Sequence, residues 1–258
     1  MDTMGAVRQM TVACGFLWAS RFIFERKFLY YAAFIIVGSM IHQSALILAP
    51  FYFIPNKLQL ENKRWLLIIV FLACVIIGKT PAFQGMAGYV QIIAGATNYD
   101  DKIDSLTELL TSGQMDEALS FGPMMLTYLL IPISIIWYGP QLKEEYDDKI
   151  PYFTLWYNLA YIYACGYFLV CNIGHYFIRP MMYFSLFQMV MATMVLHYLW
   201  TRFKDEGVNQ TACYFLCLVI FTNTAWSVYK ASISGRVIET ITYKVSFFHN
   251  DQKQWFGL

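Results

Sequence analysis

The chain has 258 residues, of which 58% are apolar, 18% aromatic and only 14% charged, with a formal net charge of +1. So few charges cannot cover the surface of a soluble domain of this length, since average domains carry about 25%; low charge with high hydrophobicity equally excludes a disordered chain. Length and six scattered cysteines exclude a small disulfide-stapled module, and a balanced charge offers no basic stripe for nucleic acid.

What remains is a helical integral membrane protein, whose spans need about 20 mostly apolar residues. Gaps between charges mark them in order. Residues 9–20 are apolar and bracketed by Arg8 and Arg21, predicting a first short span over 9–23. The same stretch has the look of a signal peptide with Trp18-Ala19-Ser20 at its cleavage site. Residues 28–53 carry no charge and predict one long span. Residues 65–79 predict a short crossing with Arg64 and Lys79 snorkelling to its two ends. Residues 80–99 are uncharged but broken by Pro81, Gly85, Gly88 and Gly95, which predicts a re-entrant or interfacial segment.

An acidic connection follows at 100–117, where Ser105 and Glu108 form a capping box that predicts a short surface helix. A span over 118–138 has Pro132 in its interior as a kink. After a polar connection at 139–151 come spans over 152–178 and 180–201, separated at Arg179-Pro180, and a last span over 210–229. The tail, 230–258, mixes cations with aromatics and suits the membrane surface. The fold class expected is all-α: one polytopic membrane bundle over 1–258, with about seven transmembrane or partly inserted segments. A β-barrel fits poorly, because the runs are too long for strands and lack alternation. With both short segments crossing, eight cations fall on the Arg8 side and nine on the other, so the positive-inside rule does not choose an orientation.

Ionisable groups within such runs are functional candidates. His42 lies in the charge-free run 28–53, with Gly38 and Ser39 one turn back; it is either a proton acceptor or a packing histidine bonded to a neighbouring helix. Asn172, His175, Arg179 and Tyr183 recur at a spacing of three and four, with Pro180 suiting a new helix start. Arg179 then reads as an anion site near a helix N-terminus or as a snorkelling interfacial arginine. Arg8, Arg21, Arg26 and Lys27 form a basic group, either a topology signal or a phosphate clamp. Asp100-Asp101 reads as a metal or nucleotide-sugar site or as solvated loop, and Asn209-Gln210-Thr211 fits a glycosylation sequon. The six cysteines form no CxxC pair and read as small buried residues; no metal site and no cofactor are expected.

Arg8-Gln9, then Arg26-Lys27 with Tyr30-Tyr31, then Ile41-His42-Gln43-Ser44-Ala45-Leu46 and Pro50 resemble the EpsG family. These are multi-pass bacterial membrane proteins of exopolysaccharide and capsule synthesis, related in role to Wzy-type polymerases. Arg179 with Tyr183-Phe184 resembles a later element of that family. The resemblance implies that 9–20 is retained rather than cleaved. It also implies that the chain is short at its start, since family members carry helices before the Arg-Gln pair. It implies a protein of the bacterial cytoplasmic membrane. Its function would be polymerisation of polyprenyl-pyrophosphate-linked oligosaccharide repeat units, a glycosyl transfer, with other polysaccharide-export machinery as partners.

In that reaction His42 would be the catalytic base. Arg8, Gln9, Arg21, Arg26, Ser44, Arg179 and Tyr183 would bind substrate, the arginines as a pyrophosphate clamp. Trp137, Tyr138 and Tyr157 would stack on sugars. A non-catalytic translocation or assembly subunit of the same pathway is the alternative.

Overall fold

The computed structural model describes residues 3–55, 58–80, 123–171, 175–202 and 207–233, and every regular element among them is helical. Helix α1, Thr3–Phe24, is followed by a tight reversal at Arg26, whose φ of 55° is in the left-handed region. Helix α2, Phe28–Ile41, then runs back along α1. Phe22 stacks on Tyr30 and Phe16 on Phe34, so partners descend one helix as they climb the other.

The predicted single span over 28–53 is instead a hairpin. Helix α2 stops at His42, which is extended (φ −149°, ψ 112°), and a 3₁₀ helix, Gln43–Phe53, returns beside it. The Tyr31 hydroxyl donates to the Leu48 carbonyl at 2.7 Å and Tyr31 faces Tyr52. At the open end the Arg26 guanidinium donates to the carbonyls of Tyr52 (2.8 Å) and Ile54 (2.7 Å). Sequence causes this turn locally. Pro50 has no N–H for an α-helical bond and clashes with the preceding turn, while His42, Gln43 and Ser44 interrupt the apolar run. Gly38 lets the arms close, since a Cβ placed there would lie 3.4 Å from that of Ala45. With 14 residues, α2 reaches about 21 Å, short of a hydrocarbon core of about 30 Å.

Helix α3, Arg64–Gly78, descends from the Arg26 end to the Arg8 end. It runs parallel to α5, Phe153–Val170, with the Tyr161 hydroxyl bonded to the Leu67 carbonyl (3.0 Å) and Phe71 against Phe168. Gly78 lies against the Phe168 backbone, where a side chain has no room. Helix α4, Pro123–Tyr146, runs antiparallel to α5, with Tyr128 stacked on Tyr167 at one end and Gly139 against the Tyr157 ring near the other. Helix α4 therefore continues through much of the stretch read as a polar connection from 139.

Helix α5 ends at Val170 and α6, His175–Thr201, begins before Pro180, so the separation of these helices lies earlier than Arg179-Pro180. Pro180 lies inside α6, in its second turn, where its missing N–H removes one backbone bond of the helix. Helix α6 lies antiparallel to α5 and parallel to α1, and α7, Gly207–Ile233, packs on α4 and α6. Among the described residues, Ile178–Thr201 alone is both long and apolar enough to cross a membrane; α2, the 3₁₀ helix and α3 are apolar but shorter. Residues 81–99 of the segment read as re-entrant, the capping box at Ser105, Asp100-Asp101 and the tail beyond 233 lie outside the described residues.

The core is aromatic. Phe16 meets Phe184 and Phe187 edge-on, and Phe51 of the 3₁₀ helix meets Phe184, so α1, the hairpin and α6 share one packed centre. The cysteines depart from the buried reading: Cys171 and Cys213 are buried, whereas Cys14 and Cys217 are exposed.

Candidate functional site

Six of the sequence-derived candidates meet at one end of this bundle. Antiparallel pairing of α1 and α2 sets the tip of the hairpin level with the start of α1, where Arg8 is exposed and Gln9 buried. The Gln9 side-chain amide donates to the Arg179 carbonyl, tying α1 to the first turns of α6. One turn further along α6, the buried Tyr183 hydroxyl bonds Ser44 Oγ at 2.7 Å and so ties the hairpin tip to the same helix. His42, two residues before Ser44, is at the same hairpin tip. It is partly buried, and the positive charges of Arg179 and Arg8 both act on its imidazole.

Each placement has a local cause. The extended backbone at His42 ends α2 and puts this residue at the tip of the hairpin. Arg179 and Tyr183 are four residues apart and share a face of α6. Gln9 and the Ser44–Tyr183 hydroxyl pair are engaged in hydrogen bonds, and an imidazole and two guanidinium groups lie at the same end of the bundle. Such a group can accept a proton and stabilise a phosphate-like anion.

The remaining candidates lie elsewhere. Arg21 and Arg26 are at the opposite end of α1, about 20 Å from Arg8 along the helix. Arg26 is engaged with the carbonyls of Tyr52 and Ile54, and Arg21 stacks on Trp18, with its guanidinium carbon 3.9 Å from the ring centre. Charge separation along a helix, invisible in a list of basic residues, divides this group. His175 opens α6, and Asn172 lies outside the described residues. Tyr157 is fully buried, which removes it as a sugar platform, and Trp137 packs on Trp65 at the Arg26 end.

Sequence reading missed a second polar cluster. Glu61, fully buried, accepts from Lys143 Nζ at 2.6 Å, and the Asn158 amide donates to the Leu58 carbonyl at 2.8 Å. Together they pull the loop before α3 into the bundle. In sequence Glu61 reads as an ordinary loop carboxylate, and only its flanking Leu58 and Leu60 hint at burial.

The profile of the EpsG family matches residues 1–244. No curated protein and no solved structure matches the chain.

Proposed function

The chain belongs to the EpsG family, a membrane family with a role in polysaccharide biosynthesis, and from that premise we propose that it polymerises lipid-linked repeat units in the bacterial cytoplasmic membrane. The observation that carries this reading is the gathering of Arg8, His42 and Arg179 at one end of the bundle, with Gln9, Ser44 and Tyr183 bracing them.

The reaction needs a base and a cationic clamp. An acceptor sugar hydroxyl attacks the anomeric carbon of a polyprenyl-pyrophosphate-linked chain; the C–O bond to pyrophosphate breaks, and the lipid pyrophosphate leaves with the electron pair. His42 takes the hydroxyl proton. The neutral imidazole is the form that accepts it. Arg8 and Arg179 face the charge that grows on the leaving pyrophosphate, and guanidinium forks match phosphate oxygens. Gln9 and the Ser44–Tyr183 pair hold the hairpin and α6 in register, so that base and clamp address one substrate.

The test is chain extension by purified protein supplied with lipid-linked repeat unit. His42→Ala should lower it by about a hundredfold or more, and Arg179→Lys should also be damaging because lysine keeps charge but loses the fork. Near-normal extension by both variants at normal abundance would overturn the assignment. Movement of substrate across liposomes without any change in chain length would instead favour a translocation subunit.

A further inference from the structure

Among the described residues no hydrogen-bond acceptor pairs with Arg21. Its guanidinium lies flat against Trp18 and within 4.7 Å of the Phe22 ring centre, and its Nε is buried without a hydrogen-bond partner. It faces an open pocket at the α1–α2 turn, lined also by Glu25, Lys27 and Tyr30. Phe22 bridges the walls, edge-on to Trp18 and stacked on Tyr30. Lys27 pairs with Glu25 at 2.7 Å, and that hydrogen bond holds the Glu25 carboxyl below its ordinary value. Glu25 and Lys27 thus offset each other, which leaves Arg21 as the unbalanced positive charge of the pocket.

We propose that this pocket binds the phosphodiester of a glycerophospholipid headgroup, with Arg21 as its anchor and Lys27 as a second contact. A guanidinium stacked on an indole keeps its edge N–H groups free in one plane, which suits two phosphate oxygens. The position selects a lipid over a soluble anion. Arg21 lies one turn inside the end of α1, and the walls are aromatic rings of the kind that sit at headgroup depth. The pocket rim is continuous with exposed apolar side chains, Trp18 at 56%, Leu29 at 80% and Tyr30 at 63%, along which acyl chains can lie. Basic pockets between helices are a recurrent form of headgroup site. This site is at the opposite end from His42, so it stands independently of the proposed polymerisation.

Native mass spectrometry of the full chain in detergent tests it, with added phosphatidylglycerol as probe, diacylglycerol as a control lacking phosphate, and inorganic phosphate as competitor. The unaltered protein should retain phosphatidylglycerol, diacylglycerol should not compete, and millimolar phosphate should not displace the lipid. Arg21→Gln should weaken retention about tenfold or more, the loss of charge-assisted hydrogen bonds. Lys27→Gln, at an exposed position that folding tolerates, should weaken it by a smaller factor, about threefold. Unchanged retention in both variants, or equal competition by diacylglycerol, would overturn the site. Displacement by phosphate alone would overturn the lipid assignment.

Discussion

At the scale of single residues, burial decides what a charge is for. Glu61 and Lys143 are far apart in sequence, yet Glu61 has no exposed side-chain surface and Lys143 has 19%. Removing one partner from such a pair leaves the other charge stranded away from water. Lys143→Met should therefore cost about 3–5 kcal/mol of stability, read as a fall in melting temperature in detergent. Combining it with Glu61→Gln should recover most of the loss, since the double variant leaves no buried charge. The sequence made His42 legible as a polar group in an apolar run, because a run without charges makes any polar residue conspicuous, and Arg8 and Arg179 legible as charges that bound such runs. It made Glu61 illegible, because a carboxylate in a polar loop looks solvated until the loop is seen folding inward through Asn158 and Lys143.

Helices as elements were legible and their courses were not. Apolar runs predicted α3 to within one residue, and α1 and α4 to α7 with one or both ends misplaced by several residues: α4 continues past its apolar run to Tyr146, and α5 stops at Val170 inside its own. The run 28–53 was misread because hydropathy records depth preference and not direction: two short apolar arms and one long span have the same composition. The break was present as Pro50 and the polar group His42 to Ser44. A cross-link separates the two courses. In a single α-helix, positions 38 and 45 are about 10 Å apart along the axis. In the hairpin, a Cβ at 38 is 3.4 Å from that of Ala45, near the separation a disulfide needs. Gly38→Cys with Ala45→Cys, in a background without other cysteines, should form an intramolecular bond on mild oxidation. Two free thiols under those conditions would favour the continuous span.

For the whole molecule, the hairpin changes which charges share a face. Because both arms begin and end together, Arg26 and Lys27 lie at the same end as Lys63 and Arg64, instead of across the bilayer from them. Among the described residues that end also carries Lys143, Lys149 and Arg202, while the other end carries Arg8, Lys79, Arg179 and Lys230. Among the described residues the cations named here divide seven to four in favour of the Arg26 end, and cations in short loops favour the cytoplasm. The Arg26 end is expected to face the cytoplasm, and the His42 site the opposite side. That side suits a reaction on carrier lipids whose glycan has already been moved across. Asp148→Cys, exposed beside Lys149, should then resist an impermeant thiol reagent added to intact cells and react once the membrane is opened. Val7→Cys, 64% exposed one residue before Arg8, should react from outside. The reverse pattern would invert the molecule and put the proton transfer proposed for His42 on the cytoplasmic side, where the acceptor would have to be an untransported glycan.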